Sequence, residues 1–309
     1  VMGWNALGTT ETYIQQSSIS PALNVVSPDW FKLDANQLIT SKVDPQYVAW
    51  AHNSGKQVWP LFGNRFDTAL TSTVLSDPLK RKQVINFLRD NIVANKIDGI
   101  NVDFENIDVK NKQDYVNFIL QLKQALKFNG TVVSVDVSRE NPDPFWSGSF
   151  DRHGLGKAAD LVIMMGYDED LGFGGMIGSV ASLPWVEKGL QLLLKDVPAS
   201  KVLLAIPFYT RDWVTNLDTG KVNRSDLTLA DVETLIFEKR LVKKWDAPSK
   251  LHYVEYVEGR EKHQIWVEDE NSVKLRLDLV KKYNLRGTAV WSIGQELPEI
   301  WQVFQTHLR

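Results

Sequence analysis

Within residues 96–108, "KIDGINVDFENID", Asp98, Asn101, Asp103 and Glu105 are threaded between Ile97, Ile100, Val102, Phe104 and Ile107. The apolar residues read as a buried strand, yet an unpaired carboxylate is costly to bury. Side chains alternate along a strand, so Asn101, Asp103 and Glu105 share one face while Ile100, Val102 and Phe104 share the other. Successive members of a face stand roughly 6.5–7 Å apart, which makes the polar ones a column. Two carboxyl groups stacked in a water-poor interior resist ionising together, so each raises the pKa of the other. Glu105, at the end of the column, is expected to stay protonated near neutral pH and act as a general acid. The same pattern also fits a buried polar network, or a carboxylate set around a structural ion. The five histidines show no metal-ligand spacing, and no metal or cofactor is expected.

The elements that must carry this column alternate along the chain. Apolar runs at 1–7, 22–31, 57–62, 99–105, 132–137, 160–167, 201–209 and 287–293 read as buried strands. Helical patterns separate most of them. Asp44 and Pro45 open one that Gly55 closes, Asp77 and Pro78 open another, and further helices are expected at 111–128, 183–195, 271–284 and 296–307. Strands apolar on both faces and alternating with helices indicate a parallel sheet covered by helices. Eight such units in 309 residues favour an α/β fold of the (β/α)8 TIM barrel type over an open sheet. One catalytic domain over 1–309 is expected, interrupted at 214–270 by a small α+β insertion between strands seven and eight. There "LTLADVETLIFEKRLVKKW" reads as a helix, and "LHYVEYVEG" with "HQIWVED" as a hairpin. In a barrel the column points inward and Glu105 reaches the C-terminal rim, where active sites of this architecture lie.

Composition narrows the function. The chain is 43% hydrophobic and 24% charged with 11 Trp, enough for a large core, and its formal net charge of −3 with no Lys/Arg block argues against nucleic acid or an anionic membrane as partner. No cysteine is present, which excludes disulfides and thiolate metal sites. No apolar run approaches spanning length, and no basic-then-apolar leader precedes Val1, so a removed signal or an excised domain is expected.

The stretch "DGINVDFE" (98–105) resembles the DGxDxDxE signature on the fourth barrel strand of family 18 glycoside hydrolases, the chitinase-like enzymes. "MMGYD" (164–168) is similar to that family's sixth-strand MxYD element, "AVWSIGQE" (289–296) to its eighth strand, and the insertion to its α+β subdomain. More narrowly, "GINVDFENI", "IPFYTRDW" and "QIWVEDENSVKLRLDLVKKYNLRGTAVWSIG" look like the catalytic domains of bacterial spore-cortex and cell-wall N-acetylglucosaminidases. Those domains often follow LysM modules, which this chain lacks.

The resemblance implies a retaining hydrolase of β-1,4-linked N-acetylglucosamine glycans that works by substrate assistance, an exception to the two-carboxylate scheme. Glu105 would protonate the glycosidic oxygen, and the substrate's own acetamido oxygen would attack the anomeric carbon. Asp103 would orient the acetamido N–H and stabilise its developing charge, and Tyr167 would donate to the acetamido oxygen. Asp168 and Met165, from the "MMGYD" element, would contact the sugar, and Trp291 would lie beneath it. Asn101 stands where the signature has its middle Asp; an amide can hydrogen-bond Asp103 but cannot share a proton with it, which should alter the acid limb of the pH profile. Peptidoglycan or spore cortex is the expected substrate of a monomer located outside the cell, at the wall or spore. Chitin, or a catalytically silent sugar-binding barrel, are the alternatives. A structural barrel without a saccharide site would leave the inward column and the Tyr-Asp pair without a role.

Further residues have two readings each. Trp4 and the Asn64-Arg65 pair lie at strand ends and either line the sugar cleft or serve as core aromatic and loop polar groups. Arg211 and Trp213, after strand seven, favour substrate contact. Asp136 points inward or outward according to register. Phe145 and Trp146 either wall the cleft or pack on the barrel. The glycines of "DEDLGFGGMIGS" (168–179) lack P-loop spacing and are expected to form a flexible rim loop.

Overall fold

The computed structural model describes residues 1–127, 130–170 and 176–308. Its first strands are β1 (Met2–Asn5), β2 (Val25–Asp34), β3 (Leu38–Ser41), β4 (Gln57–Val58) and β5 (Leu61–Gly63). They are followed by β6 (Gly99–Asp103), β7 (Val132–Ser138), β8 (Leu161–Met165) and β9 (Val202–Pro207). A second sheet comes next, built from β10 (Tyr209–Asn216), β11 (Val222–Thr228), β12 (Lys244–Asp246), β13 (Leu251–Glu258) and β14 (Glu261–Val267). The chain then returns as β15 (Gly287–Trp291).

The first sheet closes on itself. Neighbours run β1, β2, β5, β6, β7, β8, β9, β15 and back to β1, all parallel, and helices cover the outside. This is a (β/α)8 barrel with its eight staves where the apolar runs predict them. The third stave is split into β4 and β5 at Trp59 and Pro60, because Pro60 has no N–H to give to the ladder. Its carbonyl still accepts from Asn101 N at 3.0 Å. β3 is not legible as a strand in the sequence; it is an antiparallel partner added to the outer end of β2.

Among the helices, α1 (Thr10–Ser18) and α2 (Pro45–Asn53) come first, and the Asp44 carboxylate caps α2 by accepting from Gln46 N at 2.8 Å. Next are α3 (Thr68–Ser76), α4 (Pro78–Ala94), α5 (Lys112–Leu126), α6 (Arg152–Ala158) and α7 (Leu183–Leu193). The apolar face of β6 is fixed by α5: Phe104 stacks on Tyr115 at 5.7 Å and on Phe118 at 5.8 Å, and meets Phe62 edge-on at 4.9 Å. Full burial of such a ring stabilises by about 1.5–3 kcal/mol. That packing leaves the alternate residues no direction but the barrel interior.

The second sheet, in the order β11-β10-β14-β13-β12, begins at Tyr209, earlier than the 214 expected. The reason is that β11 is an exposed polar edge strand, "VNRSDLT", with no apolar alternation to betray it. α8 (Leu229–Glu238) is also shorter than the helical pattern suggests. A Thr228/Asp231 capping box starts it, and Arg240, at φ +53°, follows its end. α9 (Glu270–Lys282) and α10 (Ile300–His307) complete the outer layer. Among the described residues no helix is long and apolar enough to cross a membrane.

Candidate active site

Register partners in a parallel sheet share a face, so the inward layers can be followed from strand to strand. Leu61, Asn101 and Ser134 form one layer, and Gly63 and Asp103 begin the next. One step past the last paired rung of β6 and β7, Val102 with Val135, Asp136 reaches the level of Asp103. Asp136 is therefore an inward residue, and it is buried. The sequence does not reveal the phase of β7, because the run is apolar at Val133, Val135 and Val137 whichever way it faces.

Asn101 lies at the bottom of the site with both of its amide hydrogens used. Its Oδ1 accepts from the Trp4 indole at 2.8 Å, and its Nδ2 donates to Ser134 Oγ at 3.1 Å and to Asp136 Oδ1 at 2.7 Å. No hydrogen is left for Asp103. The hydrogen bond from the amide to Asp103 that the sequence allows is thus directed to Asp136 instead. Asp103 Oδ1 is buried and has no hydrogen-bond partner among the described residues.

Burial pushes the Asp103 carboxyl up to about 6, with the Lys32 ammonium pulling it back and Asp29 adding to the rise. Glu105 is held well above the ordinary carboxyl range by burial first, then by Asp103 and Asp168. Asp136 is raised well above its usual value by burial and by Asp103, against the Asn101 hydrogen bond. Three carboxyl groups that all sit above their ordinary range cannot ionise together, and a proton retained among them is suited to acid catalysis.

Asn64 and Trp4, whose residue types suit cleft and core alike, are both buried. The Asn64 amide clamps the peptide around Glu105, donating to Glu105 O at 2.7 Å and accepting from Glu105 N at 3.1 Å, with a further bond to Thr71 Oγ1 at 2.9 Å. Trp4 lies under Trp291, ring centroids 5.6 Å apart. Each supports a site residue and is almost wholly buried. Arg65 turns outward toward Asp34. Met165 and Tyr167 are buried at the end of β8, and burial raises the Tyr167 phenol.

Asp168 follows at φ +66°, its side chain partly exposed. It accepts from Tyr209 Oη at 2.7 Å and pairs with Arg211 Nη2. Arg211 is buried in β10 and also bonds Asp170 O and the exposed Asp226, so its guanidinium holds the Asp168 carboxylate in place. Trp213 is buried as well, its indole donating to Gly178 O at 2.7 Å. Trp213 is thus taken up by the packing of β10, whereas Arg211, also largely buried, keeps an edge on the cavity that Asp168 lines. Asp168, Tyr209, Arg211, Asp226, Thr228, Trp291 and Gln295 together line a cavity of about 260 Å³ beside the barrel mouth.

On the opposite rim, Phe145 and Trp146 are half-exposed, and Trp146 meets Phe66 at 5.7 Å. The loop after Glu105 ties this group down through Asn106 Nδ2 to Phe66 O at 2.9 Å and Ile107 N to Phe145 O at 3.2 Å. Phe66 carries no sequence signal of its own. The centre of the glycine-rich stretch, 171–175, lies outside the described residues. Among the described residues no cluster of His, Cys, Asp or Glu is arranged to hold a metal.

An inward carboxyl column ending at the C-terminal mouth of a (β/α)8 barrel, with the Trp291 indole lining a cavity beside it, is the setting of a glycoside hydrolase. The chain belongs to the glycosyl hydrolases family 18, whose model matches residues 8–296. It is similar to the uncharacterized glycosylase YvbX of Bacillus subtilis (strain 168), at 29% identity over 96% of this chain and 88% of that protein. The cortical fragment-lytic enzyme of Bacillus subtilis (strain 168) is 21% identical over 76% of this chain, a match that spans 56% of the relative's own length. Among solved structures, a chitinase from Chromobacterium violaceum ATCC 12472 superposes with a TM-score of 0.88, at 23% identity, over 99% of this chain and 98% of that one.

Proposed function

We propose that this enzyme hydrolyses β-1,4 bonds in N-acetylglucosamine-containing peptidoglycan, with retention, through participation of the substrate's acetamido group, at the cell wall or spore cortex. The observation that carries the reading is the buried Asp103 Oδ1, which has no hydrogen-bond partner among the described residues. A buried acceptor of this kind calls for a donor, and the N–H of a 2-acetamido sugar supplies one. Glu105, protonated at the mouth, gives its proton to the leaving oxygen, while the acetamido oxygen attacks the anomeric carbon and is steadied by the Tyr167 hydroxyl. Asp103, as the anion, balances the positive charge that develops on the acetamido group. Water then opens the oxazolinium ring, with Glu105 taking back a proton.

Trp291, backed by Trp4, offers its face to the reacting ring, and the Phe66/Trp146 pair offers a second apolar face on the other side of Glu105. Peptidoglycan is preferred to chitin on the likeness to the cortical fragment-lytic enzyme. The test is parallel digestion of cortex peptidoglycan and chitin oligomers, with mass spectrometry and the anomeric form of the fresh reducing end. Reducing-end N-acetylglucosamine of β configuration from peptidoglycan is expected, and Glu105→Gln should lose activity by several orders of magnitude while folding normally. An inverted product, or near wild-type turnover by Glu105→Gln, overturns the mechanism; cleavage of chitin alone overturns the substrate.

A further inference from the structure

β2 does not alternate regularly. Its register against β5 runs Asp29 with Leu61, then Phe31 with Phe62 and Lys32 with Gly63, a bulge between Asp29 and Phe31. In a regular strand Asp29, Phe31 and Leu33 would share a face; the bulge instead turns Phe31 out into the core and brings Lys32 to the side of Asp29. The two form an i,i+3 ion pair at 2.8 Å. Lys32 now heads an inward layer that continues through Gly63 to Asp103. Gly63 has no side chain to stand in the way. A Cβ built there would lie 3.4 Å from Lys32 Nζ and 3.6 Å from Lys32 Cδ, with the main-chain carbonyl oxygen of Asp103 at 3.8 Å, so the lysine stem lies across the gap the glycine leaves.

We propose that Lys32 is a positioning residue of the reaction, its ammonium reaching across Gly63 as the counter-charge that makes Asp103, and not Glu105 or Asp136, the anion of the cluster. The inference rests on the role given to Asp103 under the proposed function. The titratable groups whose charges bear on Asp103 are Lys32 and Asp29 from β2, Glu105 beyond the end of β6, Asp136 from β7, the Tyr167 phenol past the end of β8, and the Tyr115 phenol behind the strand on α5. Lys32 is the cation of this set. Without it, three carboxyl groups of similar burial would compete for one charge. With it, the charge falls on the carboxyl in the lysine's own layer. Asn101 cannot help, since its two N–H groups are spent on Ser134 and Asp136.

The test is the pH profile of kcat/KM on a defined peptidoglycan fragment. Its acid limb reports Asp103 ionising and its basic limb reports Glu105 losing its proton. Lys32→Met should move the acid limb up by about one pH unit, an approximately tenfold loss well below the limb and little loss above it. The basic limb should stay. Lys32→Arg should keep both limbs. Asp29→Asn removes a negative neighbour and should move the acid limb down, the opposite direction. Thermal melts check folding, and if Lys32→Met fails to fold, Asp29→Asn and Lys32→Arg still decide. An acid limb unmoved in Lys32→Met, an equal shift in Lys32→Arg, or a rise in Asp29→Asn overturns the inference. A Glu105→Gln enzyme that remains active would instead overturn the underlying mechanism.

Discussion

Asn101 Nδ2 donates to Asp136 Oδ1 at 2.7 Å, so the amide at the centre of the signature is bonded sideways to the next strand and not upward to Asp103. A third carboxyl group is thus held beside Asp103, carried by β7. Burial and Asp103 keep it protonated well above the ordinary range.

The raised Asp136 carboxyl has a consequence for stability. The folded state keeps a proton that the unfolded chain releases above about pH 4. Its contribution is therefore fully present below pH 4 and declines as pH rises toward the folded-state value, by up to roughly 1.4 kcal/mol per pH unit. Asp136→Asn keeps an acceptor for Asn101 and has no proton to lose. Urea unfolding at pH 4 and pH 7 should show the variant gaining on wild type at the higher pH. Parallel trends for the two proteins would mean that Asp136 ionises alike in both states.

Trp4→Phe removes the only donor to Asn101 Oδ1 among the described residues, leaving a buried acceptor bare. A loss of about 1–3 kcal/mol is expected on chemical denaturation. Because Trp4 also backs Trp291, KM should rise too. A stability change within about 0.5 kcal/mol, the range of an ordinary surface substitution, would show that the indole N–H is dispensable.

Arg211 binds Asp168, Asp226 and the Asp170 carbonyl with a fork that a lysine cannot reproduce. Arg211→Lys should free the Asp168 carboxylate and raise KM by about tenfold, roughly 1.4 kcal/mol of binding, with kcat less affected. Asp226 is mostly exposed, so Asp226→Asn should have a small effect. Steady-state kinetics on one substrate with the three proteins reads this directly, and a kcat loss without a KM change in Arg211→Lys would place Asp168 in the chemical step.

The barrel is legible because Ile100, Val102, Phe104 and their counterparts on the other staves make runs that only a covered parallel sheet can bury. Glu105 and Asp103 are legible because ionisable groups in so apolar a run carry a desolvation cost that a functional site offsets and an ordinary core strand does not. Lys32 is not, since a bulge changes which face a residue takes without leaving a mark in the residue types. Asp136 stays open in the sequence because parity along "VVSVDVS" cannot be phased without its neighbour's register. Trp4 and Asn64 are of types that serve a cleft or a core equally well, and the position of Arg211 and Trp213 after strand seven points to the cleft. Only their hydrogen bonds distinguish the two, and those come from residues distant in sequence, such as Trp4 with Asn101 and Asn64 with Glu105.

The Asn64 clamp gives the sharpest separation of supporting from contacting roles. Its amide meets both the N–H and the carbonyl of Glu105, which sets where the acid side chain leaves the end of β6. Asn64→Asp can still accept from Glu105 N but opposes its carbonyl with a second acceptor, and Asn64→Ala loses both bonds. A displaced acid loses proton transfer before it loses binding, and a 1 Å misplacement is worth on the order of a hundredfold in rate. Both variants should therefore lower kcat by about ten- to a hundredfold with KM little changed. The opposite pattern, a raised KM with kcat intact, would return Asn64 to the wall of the sugar cleft.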